Sequence, residues 1–216
     1  MTTPKNQLRV TSALSMIVVG ILLMVMIYSG ERDVGSWLTL VVVVVFFQFF
    51  KFKDKLEDSG FKPRKIFHKK FLLHLIVALV VFSTLGISFG LYLGESVQKF
   101  KISFDFWELI FYFAVVILQQ YLLSCFYINR LEVVWGNGGK WNVILATGFI
   151  FAFFHNPNWF LMVVTFVGGI ACAWHFLKYR NIYFLIVSHL IIGIFLNYFT
   201  PDVITHGMRV GPAYFK

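Results

Sequence analysis

Gln119, Gln120, His155 and His189 are polar side chains set inside apolar runs in the last third of the chain. A membrane helix keeps such groups only where they face a protein interior or a wet cavity, so their recurrence in consecutive runs points to one shared polar site. Residue type limits the chemistry open to them. A neutral imidazole presents one donor and one acceptor nitrogen, whereas a glutamine amide hydrogen-bonds but cannot take a proton near neutral pH. A glutamine pair also serves as glue between membrane helices, each bond worth about 0.6 to 2 kcal/mol. His155, just before Pro157, fits an interfacial histidine as well, and His189 fits a core histidine with a satisfied ring. Read alone, the two histidines also fit a bis-histidine haem or metal site with electron transfer as its role, although no flanking residue favours it. His74 and His175 lie in apolar runs too, fall outside the pattern, and read as structural.

The elements that must position these residues are membrane helices. The chain of 216 residues is 59% hydrophobic, 19% aromatic and only 13% charged, with a mean hydropathy of +0.78. That leaves too little polar surface to cover a soluble globule. Its apolar runs approach spanning length and lack the alternation of barrel strands, which predicts an all-α, polytopic transmembrane bundle of about seven spans. The runs are 11–28, 37–50, 71–93, 104–129, 141–155, 159–177 and 182–199. The first follows Lys5 and Arg9 but has no small-residue cleavage site after it, so it reads as a retained helix and not a signal peptide. The valine tract from Val41 to Val45 would signal a strand in water, but in lipid the backbone must bond within its own segment. The stretch 131–141, with Gly136, Gly138 and Gly139, reads as a turn-rich connection, and Asn156-Pro157-Asn158 as a helix stop.

Charge orients the bundle. Residues 51–70 form the one long basic loop, with eight Lys or Arg. With the amino terminus inside, fourteen of the 19 positive residues fall on the inner side, which predicts a cytoplasmic amino terminus and a cytoplasmic 51–70 loop. The net charge of +9 is thereby explained by topology, and nucleic acid is excluded as a partner. The lipid bilayer is the implied environment. Cys125 and Cys172 both fall inside apolar runs, so neither a disulfide framework nor a paired-cysteine metal knuckle is indicated.

From the helix rise of about 1.5 Å per residue, Gln120 lies about 13 Å, His189 about 10 Å and His155 about 20 Å from the proposed inner helix ends. These depths are compatible with a common pocket. The sequence then resembles a known family. Gln119-Gln120 followed by Ser124, Phe151 followed by His155, a glycine-bearing sixth helix with Gly168 and Gly169, and Ser188-His189 followed by Gly193 resemble the CAAX protease and bacteriocin-processing (CPBP, or Abi) family of intramembrane proteases. That family shows Glu-Glu-x-x-x-Arg, Phe-x-x-x-His and His-x-x-x-Asn in this order on successive helices. The resemblance covers about 100–199, which divides the chain into N-terminal helices with the basic loop (1–99) and a CPBP-like core (100–216).

Phe151, His155 and His189 match the family pattern residue by residue. Gln119 and Gln120 stand where the family carries glutamates, Ser124 where it carries arginine, and Gly193 where it carries asparagine. The resemblance implies a membrane endopeptidase whose glutamate activates water, with His155 and His189 as metal ligands or oxyanion stabilisers and zinc or another divalent metal as cofactor. With glutamine at both positions the general base is missing. Glu132, Glu108, Asp105 and Asn197 are too distant along or around their helices to substitute. The reading that follows is a relative with weak or lost proteolysis that retains a pocket for a membrane-embedded peptide, a lipid or a membrane protein. The alternative is an active intramembrane metalloprotease in which Gln119 or Gln120 positions water.

Overall fold

The computed structural model describes residues 4–29, 34–61, 69–92, 106–136 and 138–215, and every regular element among them is helical. Helix α1 (Pro4–Ser29) is followed by α2 (Val34–Val45), which continues without a break as a π-helical turn, Phe46–Lys51. After α3 (Lys69–Tyr92) comes one continuous helical path: α4 (Phe106–Gln120), a π-helical segment (Tyr121–Ile128) and α5 (Asn129–Trp135). Helices α6 (Lys140–Phe153), α7 (Trp159–Tyr179) and α8 (Ile182–Phe199) complete the bundle. The carboxyl-terminal segment folds back as α9 (Asp202–Thr205) and two 3₁₀ turns.

One expectation is met in part and another changes. Among the described residues three helical paths are long and apolar enough to cross a membrane, Pro4–Ser29, Leu109–Trp135 and Trp159–Tyr179, which supports a membrane bundle without confirming seven spans. Ser36–Lys51, Lys140–Phe153 and Ile182–Asn197 are shorter apolar helices. The physical reason is length: a 14-residue helix rises only about 21 Å, against a hydrocarbon core of about 30 Å. The connection read over 131–141 is also shorter, because the helix runs on through buried Leu131 to Trp135. It stops at Gly136, whose φ of 69° only glycine adopts readily. The valine tract is helical, as its place in an apolar run requires.

Packing follows residue size. At the α6–α7 contact a Cβ on Gly169 would lie 2.9 Å from the Gly148 Cα, and one on Gly148 would lie 2.9 Å from the Phe166 carbonyl oxygen. Small residues thus bring the two backbones together, the usual device of membrane helices. Val19, Leu23, Leu40, Val44, Leu122, Phe126 and Tyr127 form one apolar core beneath α1 and α2. Ile128, Leu131, Val143, Ile144, Ala173, Phe176 and Leu185 form a second between α5, α6, α7 and α8.

Polar ties fix the ends. Buried Arg130 pairs with Asp54, and Arg180 pairs with Glu132 while donating to Asn129 Oδ1 at 2.7 Å. Burial pushes the Asp54 carboxyl above its usual range, against the pull of Arg130. Asn158 and Asn181 cap α7 and α8, accepting from Leu161 N and Phe184 N, each at 3.1 Å. Asn158 also donates to the Thr205 and Arg209 carbonyls at 2.8 and 3.0 Å, and Gly211 N donates to the Asn156 carbonyl at 3.0 Å. These bonds hold the carboxyl-terminal segment against the α6–α7 turn.

Candidate functional site

Gln120 is the last residue of α4 and is fully buried where the helix widens into its π-helical segment. Its amide nitrogen lies 2.9 Å from His189 Nδ1 on α8, and its amide oxygen accepts from the Ser124 hydroxyl at 3.3 Å. An NH₂ group can only donate, so Nδ1 acts as the acceptor and the proton of the neutral ring sits on Nε2. His155 lies two residues past the end of α6, buried, with Nδ1 2.7 Å from the Phe151 carbonyl oxygen. A carbonyl can only accept, so His155 carries its proton on Nδ1, the opposite tautomer to His189.

Phe151 meets both histidines edge-on, its ring centroid 5.0 Å from that of His155 and 5.7 Å from that of His189. The four-residue spacing, roughly one helical turn, brings the His155 ring beside that of Phe151 just past the end of α6. Gln119, Gln120, Phe151, His155, Ser188, His189 and Gly193 all line one cavity of about 1040 Å³. Residues predicted on three separate runs therefore converge: Gln120 reaches His189 directly, and Gln119 and His155 face the same space. Ser124 is buried and spends its hydroxyl on the Gln120 amide.

Of the candidates set aside in the sequence, Glu132 and Asn197 remain outside the site, and His175 lines its cavity. Glu132 is engaged by Arg180 and Asn197 is exposed. The side chains of His74, Asp105 and Glu108 lie outside the described residues. His175 faces the cavity with its ring packed against Tyr179 and Phe184 at centroid distances of 4.9 and 4.8 Å.

Four further residues escape a motif-based reading. Tyr112 lines the cavity from α4. It precedes Gln119 by seven residues, two helical turns on the same face, which is the one sequence signal that marks it. Cys172 lines it from α7, and Met208 and Arg209 from the carboxyl-terminal segment, which no periodicity ties to the bundle.

The donor set does not fit zinc. A catalytic zinc takes three protein ligands, and here there are two imidazoles, one with Nδ1 engaged by an amide and neither accompanied by a carboxylate. Among the described residues no group of three or more His, Cys, Asp or Glu is gathered. What the site offers is an apolar chamber with a few oriented hydrogen-bonding groups, which suits binding and positioning.

Residues 101–195 match the model of a family described as type II CAAX prenyl endopeptidase Rce1-like. The matched segment contains Gln119, Gln120, Phe151, His155, His189 and Gly193, and it bears out the resemblance to the CPBP family. No curated protein and no solved structure matches the chain.

Proposed function

We propose that this integral membrane protein, CAAX protease-like over residues 101–195, uses its cavity to bind a prenylated or otherwise membrane-embedded peptide and has lost most or all proteolytic activity. The observation that carries this reading is the 2.9 Å contact between the Gln120 amide and His189 Nδ1. The amide sits where water activation needs a base, and it also inverts the histidine. A carboxylate at position 120 would accept a hydrogen bond from Nδ1–H and leave Nε2 free as a basic lone pair. The amide donates instead, so Nε2 holds the proton and His189 has no basic nitrogen to offer. A neutral partner that selects the wrong imidazole tautomer removes orders of magnitude of catalysis in other hydrolases.

The test compares the purified protein with Gln120→Glu on a fluorogenic, S-farnesylated peptide in nanodiscs. General-base assistance is worth about 10² to 10⁴ in rate, so the native protein should cleave slower than the variant by a factor of that order, while both bind the peptide. Cleavage by the native protein at ordinary enzymatic rates, abolished by His155→Ala, would show that the site works without a glutamate and would refute the reading.

A further inference from the structure

Gly193 lies one turn beyond His189 on α8, at the position where the resembling family carries an asparagine. A Cβ built on Gly193 would lie 1.7 Å from the Tyr112 hydroxyl oxygen and 2.9 Å from the carbon that bears it. The phenol therefore occupies the volume in which any other side chain at 193 would begin. Tyr112 comes from α4, the helix that also supplies Gln119 and Gln120, and it is half-buried against the same cavity. Among the described residues no group bonds its hydroxyl. A phenol in an apolar chamber with no partner is a donor whose acceptor has yet to arrive, because a hydroxyl out of water otherwise forfeits a hydrogen bond.

We propose that Tyr112, admitted by the missing side chain of Gly193, is the hydrogen-bond donor with which the cavity positions a neutral acceptor oxygen, such as a backbone carbonyl, of its membrane-embedded ligand. The inference rests on the cavity being a binding site, as proposed above, and adds which atom orients the ligand and which chemical group it reads. The geometry couples the two residues. The hydroxyl reaches its place only while position 193 has no Cβ, so the glycine replaces one polar group with another delivered from the opposite helix. Phe111, Val115, Leu118, Ile192 and Leu196 give the same cavity apolar lining, which suits a long hydrocarbon or a hydrophobic peptide segment attached to the bonded oxygen.

The experiment measures binding by the full chain in nanodiscs of two dansyl-labelled, S-farnesylated hexapeptide amides. One is intact, and in the other the carbonyl of the alkylated residue is reduced to a methylene. One neutral hydrogen bond is worth a factor of roughly 3 to 10 in affinity, so the native protein should prefer the intact peptide by that factor. Tyr112→Phe should bind both peptides equally, at the level of the reduced one. Gly193→Ala, which displaces the phenol, should erase the same preference, and adding Tyr112→Phe to it should change nothing further. If Tyr112→Phe keeps the preference for the carbonyl, or the native protein shows none while binding both peptides, the donor assignment is wrong and the binding reading survives. If the native protein binds neither peptide, both fall together.

Discussion

The Gln120–His189 contact sets both what the pocket can do and what it costs to disturb. Gln120 is fully buried, so His189→Leu would remove the partner of its amide nitrogen, while the oxygen keeps Ser124, at a cost of about 1 to 3 kcal/mol. Thermal unfolding in detergent measures the loss, and a neutral effect would mean that the amide finds another partner. The tautomer assignment has its own readout. Nitrogen-15 spectra should show His189 protonated on Nε2 in the native protein and on Nδ1 in Gln120→Glu, with His155 protonated on Nδ1 in both. An unchanged His189 pattern would detach the lost activity from the tautomer. Ser124 and Gly193 extend the same logic, because each replaces a charged or polar side chain with one too short to reach far, and neighbours fill the space: the Gln120 amide in the first case, the Tyr112 phenol in the second.

At the scale of elements, the α6–α7 contact holds Phe151 and His155 in register with the cavity. Gly148→Ala would drive a methyl into the Phe166 carbonyl, and backbone cannot move aside as a side-chain tip can. The expected cost is about 1 to 3 kcal/mol, read as a lowered unfolding temperature, and the variant should also weaken peptide binding because the cavity wall shifts. Gly168→Ala is the control for the unfolding temperature alone, since a Cβ there meets nothing within 4 Å but the residue lines the cavity. The π-helical segment Tyr121–Ile128 begins directly after Gln120 and is buried along almost its whole length. Its wider turn sets which faces of the α4–α5 path point to the cavity and which to the core.

The whole molecule is tied together at two levels. At one, the π-helical end of the α2 path and the turn after it pack into the bundle through Gln48, Ser59, Tyr121 and Cys125. Gln48 donates to Ser59 at 2.6 Å and accepts from Tyr121 at 2.6 Å, and the Cys125 thiol donates to the Ser59 carbonyl at 2.9 Å. Ser59 is therefore a poor site for a topology probe, being fully buried, whereas Glu57 is exposed. With the 51–70 loop in the cytoplasm, Glu57→Cys should be labelled by an impermeant reagent only from the cytoplasmic side of membrane vesicles; labelling from outside intact cells would invert the orientation. At the other level, Asn158 caps α7 and holds the Thr205 and Arg209 carbonyls at once. Asn158→Ala should raise hydrogen exchange across 202–215 before it unfolds the bundle, because those residues lose two of the bonds that anchor them.

How much of this was legible in the sequence follows from the range of each force. The helical class and the membrane setting come from composition and run length, which act locally: the bilayer forces every apolar backbone to bond within its own segment. The polar site was legible for a related reason. Burying Gln120, His155 and His189 in lipid would be so costly that their presence required a common interior, and the structure gathers them around one cavity. Which of the shorter apolar runs cross the membrane was not legible, because a run such as Lys140–Phe153 is apolar but only 14 residues long, and its placement depends on neighbours remote in the chain. Nor could sequence alone reveal that Tyr112 enters the volume vacated at Gly193, or that Asn158 holds the carboxyl-terminal segment against the cavity. Those contacts join residues more than 45 positions apart, and only the packing of whole helices decides which side chains meet.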